Sequence, residues 1–255
     1  RQEGPENVLA FIAEPVVGAA LGAVPAVPEY FPLISEICDE FDVLFIADEV
    51  MTGFGRTGAN FGVDHWKVIP DIIATAKGIS GGYTPLAAVI LRDKIMNLLR
   101  EKRSNFRGGH TYCANPLSAR VGIEVLDIIK EQNLVQNCHR MGLRLLEGLR
   151  KLLDHPTVGD VRGKGLMAGV EFVRNKETKE PFPVEYQFGK RIFEEAFVRG
   201  LVVFAGSGTV DGVAGDHILL APPFIITASQ VDDLVAILDE SVTAVERGLP
   251  PELRG

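Results

Sequence analysis

A chain of 255 residues with 46% hydrophobic side chains can bury one large core or two modest ones. Its 34 Asp and Glu against 26 Lys and Arg leave a formal net charge of -8 with no basic stripe, which argues against a nucleic acid or an anionic membrane surface as main partner. Cys38, Cys113 and Cys138 are far apart and form no CxxC pair, so a reducing compartment is expected, with neither a disulfide framework nor a cysteine-rich zinc site. No apolar run reaches the roughly 18 residues of a membrane span, and a soluble cytoplasmic protein is expected.

The chain opens on seven polar residues and then enters VLAFIAEP (8–15), a short apolar run that reads as a buried strand. Nothing ahead of it could supply neighbouring strands, so the chain is expected to be a piece of a longer protein. Tyr30, Phe31, Leu33, Ile34, Ile37, Cys38 and Phe41 recur at helical spacing behind Pro28, predicting a helix over 28–41. VLFIA (43–47), DIIAT (71–75) and LAAVIL (86–91) read as further strands, and their spacing suggests a mainly parallel α/β sheet. From Pro116 to Leu153 the apolar positions describe one long amphipathic helix, or two joined near Asn133. DVRGKGLMAGVEFV (160–173) reads as a hairpin, with Gly163 and Gly165 marking turns or bulges. A helix over 187–199, strands at LVVFA (201–205) and HILLAPP (217–223), and a helix over 229–247 complete the pattern. A domain boundary is expected near residue 155, giving a large domain over 1–154 that includes the long helix and a small α/β domain over 155–255.

Asp48 and Glu49 end the run VLFIADE, and a carboxylate at a buried strand end needs a partner. An N-cap or turn is the plain reading of Asp48. A metal-binding pair of the Walker B kind is another, but it requires a phosphate loop GxxxxGK[ST], and none occurs between Arg1 and Leu44. Lys77 lies 29 residues on, behind another apolar strand and ahead of Gly78, Gly81 and Gly82. Two strands thus deliver an acid and an amine to their C-terminal ends, where α/β sheets place ligands. Pyridoxal phosphate (PLP) chemistry needs both: a lysine to hold the cofactor as a Schiff base, and a carboxylate to keep its pyridine nitrogen protonated. His65, His110, His139, His155 and His217 show no ligand spacing, so no metal site is expected. Arg56 and Arg162 sit in glycine-rich turns and read as structural, and Cys113 has no histidine–carboxylate set to activate it.

LFIADEVMTGFGRTG followed after a short interval by DIIATAKGISGG resembles the signature of the class III, ω-amino-acid type of PLP-dependent aminotransferase. AEPVVG (13–18), GHTYCANPLSA (109–119), VRGKGLMAGVEF (161–172) and GDHILLAPPFIIT (215–227) are similar to that family too, so the resemblance spans nearly the whole chain. It implies fold type I, with a partial large domain and a small C-terminal α/β domain. It also implies transfer of an amino group from an amine or ω-amino acid to a 2-oxo acid such as pyruvate. Lys77 would be the Schiff-base lysine and would move a proton between the substrate Cα and the cofactor C4′. Asp48 would pair with the pyridinium nitrogen, Val50 would press on one ring face, and Glu49 would lie near the phenolic side. Thr111 would donate its hydroxyl to the phosphate across a homodimer interface. Glu14, at a strand end, would face the site. An aminomutase of the same fold would use the same lysine and acid.

Two departures accompany the resemblance. Members of the family carry roughly 150–200 residues ahead of AEPVVG, the size of a domain, with part of the phosphate cradle and a ring-stacking aromatic. Weak PLP binding and little turnover are therefore expected of this chain alone. Many members also place a carboxylate-binding arginine before the APP stretch, whereas SGTVDGVAGD (207–216) has none.

Overall fold

The computed structural model describes residues 2–104 and 108–254. The chain divides into two compact units: residues 1–15 with 26–135, and residues 16–25 with 136–255. The boundary expected near residue 155 falls inside the second unit; the chain passes between units at Val135, and ten residues after Pro15 also belong to the second.

The first unit is built on a four-stranded sheet. In chain order its strands are β1 (Ala10–Ala13), β4 (Leu44–Asp48), β5 (Ile72–Thr75) and β6 (Ala88–Leu91), and they lie side by side in that order. The pairs β1–β4 and β4–β5 are parallel, while β6 runs antiparallel to β5. The sheet is therefore mixed, and LAAVIL supplies the antiparallel edge. Helix α1 (Tyr30–Glu40) packs on β4 through Phe31, whose ring stacks on Phe45 with centroids 5.8 Å apart. The Trp66 ring meets Phe31 edge-on at 5.1 Å, and its Nε1–H donates to the Val27 carbonyl at 3.0 Å. At the N-terminal end of β5, the buried carboxylate of Asp71 accepts the Phe45 amide at 3.1 Å and pairs with Arg92 and Lys94. Helix α2 (Asp93–Glu101), which the sequence pattern did not announce, follows β6. Helix α3 (Pro116–Glu131) starts with Pro116 at N1, and the Asn115 side chain accepts from the amides of Leu117 and Ser118.

Asn133 adopts φ 51°, in the left-handed region, and this ends α3 before α4 (Leu134–Arg150) begins. The apolar pattern over 116–153 is thus two helices, followed by a 3-10 turn at Lys151–Asp154. The second unit holds an antiparallel sheet in the order β7 (Val158–Lys164), β8 (Met167–Phe172), β10 (Asp216–Leu220), β9 (Phe204–Ser207). The hairpin β7–β8 turns at Gly165 (φ 56°), and its bulge lies between Val158 and Asp160, away from both glycines named above. Helices α5 (Phe188–Val198) and α6 (Ala228–Arg247), with α4, bury Phe172, Phe188, Ile192, Leu145, Leu149, Leu238 and Val242 with the sheet in one core. Strand β9 begins three residues beyond the expected start at 201. A small hairpin, β2 (Val16–Val17) with β3 (Val24–Pro25), joins this unit. The Arg162 guanidinium donates to the Leu21 and Gly22 carbonyls at 2.6 and 2.9 Å, and His217 Nε2–H donates to Ala19 O at 3.1 Å. Among the described residues, no helix is long and apolar enough to cross a membrane.

Candidate active site

Parallel pairing sets the geometry. Asp48, the last residue of β4, is in register with Ala74 of β5, and Lys77 follows three residues later. Acid and lysine therefore leave neighbouring strands at the same C-terminal edge. Ala13 pairs with Ala47, so Glu14 reaches that edge as well. Open parallel sheets bind ligands at this end because strands stop there and loops diverge.

The strand expected to end at Lys77 stops at Thr75, and Lys77 begins a 3-10 turn over Lys77–Ser80. Its φ of 46° puts a long side chain in the left-handed region, an uncommon conformation that needs support from its surroundings. Support is visible on two sides. Ser80 is buried and its hydroxyl donates to Thr84 O at 2.6 Å, while Thr84 and Ser118 share a 2.8 Å hydroxyl bond that ties the turn to α3. Lys77 itself is exposed, and its amine has no partner among the described residues.

The Asp48 carboxylate is half-buried. Its Oδ1 accepts the Val50 amide at 3.1 Å, which orients the group, and its Oδ2 has no partner among the described residues. A carboxylate with one oxygen anchored and one open can receive a protonated ring nitrogen without first breaking a bond.

Glu49 has a different environment. Its side chain is fully buried; Oε2 accepts the Gly62 amide at 2.8 Å and the Thr52 hydroxyl, and Oε1 accepts the Val63 amide at 2.9 Å. Burial pushes its pKa up, and the hydrogen bonds from Thr52, Val63 and Gly62 offset that only in part. The carboxylate is thus occupied by its own loop. This does not fit the Walker B-like pairing, which needs Glu49 free. No periodicity in the sequence signals a bond spanning 13 residues, so Thr52, Gly62 and Val63 were not legible as its partners.

Thr111 lies in an exposed turn ahead of Asn115, and no bond joins it to Asp48 or Lys77. Cys113 beside it is exposed, and its sulfur accepts the His110 amide at 3.2 Å. Asp48 and Lys77 thus lie at the C-terminal edge of neighbouring strands, with Glu49 next to Asp48 and Val50 bonded to it, and Thr111 lies on an exposed turn. The open amine and half-open carboxylate suit the two polar ends of a pyridoxal ring.

An α/β sheet whose parallel strands bring a lysine and a carboxylate to one edge has an arrangement that would suit a carbonyl cofactor. Comparison with known proteins makes this specific. The model of the aminotransferase class-III family matches residues 1–242, and the chain belongs to that family. It is 42% identical over 248 residues to an uncharacterized aminotransferase of Schizosaccharomyces pombe, covering 97% of this chain and 54% of that one. A probable γ-aminobutyrate transaminase 3, mitochondrial, of Oryza sativa is 38% identical over 248 residues, covering 96% of this chain and 47% of that one. Among solved structures, a transaminase from the marine bacterium Virgibacillus superposes with a TM-score of 0.92 at 41% identity, over 98% of this chain and 56% of that one. An amine transaminase from an uncultivated Pseudomonas species in its PLP-bound form gives 0.88 at 35% identity, over 95% and 54%. The chain spans about half the length of the relatives it matches.

Proposed function

We propose that this chain belongs to a PLP-dependent transaminase that moves an amino group from an amine or ω-amino acid to a 2-oxo acid such as pyruvate. The observation that carries this reading is the placement of Asp48 and Lys77 at or just past the C-terminal ends of adjacent parallel strands within a class-III chain, the lysine amine and Asp48 Oδ2 having no partner among the described residues. Bound PLP supplies an electron sink for the pair left when a bond at the substrate Cα breaks. Lys77 Nζ would hold the cofactor covalently and, once displaced, carry a proton from Cα to C4′. Asp48 Oδ2 would keep the ring nitrogen protonated, which makes the sink effective. Val50, fixed by its amide bond to Asp48, would bear on one ring face. Glu49 would act from beneath that loop, and Thr111, exposed on its turn, would reach the phosphate bound by a second subunit of a homodimer. Relatives named as γ-aminobutyrate and amine transaminases favour donors whose amine need not neighbour a carboxylate. The absence of arginine from 207–216 agrees with that preference. Free cysteines, two of them buried, fit a cytoplasmic setting.

The test is borohydride reduction of the complete polypeptide after PLP loading, with peptide mapping. The label should sit on Lys77 and vanish in Lys77→Ala. Label elsewhere, or none in the wild type, refutes the proposal. Assays of γ-aminobutyrate, β-alanine, alanine and an aryl-alkyl amine against pyruvate then assign the donor.

A further inference from the structure

Resting on the proposed PLP site, we infer that Glu49 is a positioning residue: its buried carboxylate clamps the 50–63 loop and through it sets the Asp48 carboxylate and Val50. The chain of contacts is continuous. The Gly62 and Val63 amides and the Thr52 hydroxyl all donate to Glu49, so one carboxylate closes the loop over 50–63. The Glu49 backbone is pinned to β5 on both sides, its amide donating to Ala74 O at 2.8 Å and its carbonyl accepting from Gly53 N at 3.0 Å and Thr75 Oγ1 at 3.4 Å. Its flanking residues, Asp48 and Val50, are bonded to each other. The same loop also reaches the lysine side. A Cβ at Gly78, next to Lys77, would stand 3.6 Å from Gly53 O and from Phe54 Cβ, in ordinary contact. Glu49 thus joins the acid, the ring-face residue and a loop that lies against the lysine turn, while both of its own oxygens are taken up by that loop.

A carboxylate held by three donors cannot be matched by an amide. Glu49→Gln turns a donor toward a donor, since an NH2 must face one of the backbone N–H groups. The loop is then free to relax, and Asp48 loses its fixed rotamer. Asp71→Asn serves as the control, because Asp71 is likewise buried and hydrogen-bonded to a sheet amide but stands before β5, at its N-terminal end, away from the site.

The experiment uses the complete polypeptide and compares wild type, Glu49→Gln, Asp71→Asn and Asp48→Asn. Three readings are taken: melting temperature without cofactor, hydrogen exchange over 50–63 without cofactor, and PLP titration followed by its visible absorbance band. Glu49→Gln should lose exchange protection over 50–63 and weaken PLP binding by about tenfold, the scale of one lost charge-assisted hydrogen bond. Its band should move in the direction seen for Asp48→Asn. Asp71→Asn should melt earlier with PLP affinity and band unchanged. The inference is overturned if Glu49→Gln binds PLP with wild-type affinity and band, or if Asp71→Asn weakens PLP binding as much. A wild type that takes up no PLP on Lys77 overturns the functional proposal itself, and with it this inference.

Discussion

His155 offers the sharpest test of the electrostatics in the second unit. Its Nδ1 lies 2.8 Å from Glu246 Oε2 and its Nε2 lies 2.9 Å from Asp239 Oδ1, so one ring bridges two carboxylates of α6. Both nitrogens can donate only when the ring is protonated. Burial by itself depresses the His155 pKa, and the bonds to Asp239 and Glu246 outweigh it and raise the value above 6.5. His155 and Glu246 side chains are 14% and 16% exposed, whereas Asp239 is 54% exposed. The Glu246 bond is therefore worth about 1.5–3 kcal/mol as a charge-assisted bond. The Asp239 bond adds at most about 1 kcal/mol after screening by solvent. A raised folded-state pKa means that this stability is complete below the unfolded-state value of about 6.5 and is lost as pH rises through the folded-state value. His155→Ala should thus cost about 2–3 kcal/mol at pH 5.5, or roughly 4–12 °C in melting temperature, and distinctly less at pH 9. Scanning calorimetry of both proteins from pH 5 to 9 measures this difference. A wild-type-minus-mutant gap that stays constant, or widens as pH rises, refutes the reasoning.

Further predictions concern the same unit. Gly169→Ala would place a Cβ 2.0 Å from the Gly22 carbonyl oxygen, a backbone atom that Arg162 also binds, and should cost about 3 kcal/mol with exchange protection lost over 16–25. Asp216 caps α5 from β10: Gln187 offers no side-chain cap, and Asp216 Oδ1 accepts the Gly189 amide at 3.1 Å. Asp216→Ala should therefore lower stability by about 1 kcal/mol in denaturant melts. Burial raises the Asp216 pKa, so its charge weakens the fold as pH rises through the folded-state value. Asp216→Asn, which keeps an acceptor and carries no charge, should be neutral or stabilising at pH 7; a loss equal to that of the alanine variant would sink this account.

Local pattern carried much of the fold. Apolar runs at 8–15, 43–47, 71–75 and 86–91 each overlap a strand, and the amphipathic stretches at 28–41, 187–199 and 229–247 each overlap a helix, with bounds differing by a few residues. The break at Asn133 was legible because asparagine tolerates the left-handed region. The two-residue strands β2 and β3 were not, since such short segments show no period and the turn joining them is held by Arg162 and His217 from far along the chain. For the site, the run LFIADEV and the lysine 29 residues on made Asp48 and Lys77 the candidates; β4 does end at Asp48, whereas β5 stops two residues short of Lys77.

The amino-acid sequence by itself marked most of the strands and helices and offered Asp48 and Lys77 as the candidate acid and lysine. Only the tertiary structure decided which groups bind the Glu49 carboxylate, because hydrogen bonds from Gly62 and Val63 depend on where a loop closes and not on residue type. It also decided that Asp48 keeps one oxygen open among the described residues and that β6 turns the sheet mixed. Periodicity reports which face of an element is apolar; burial, register and loop closure are settled by packing between residues distant in the chain.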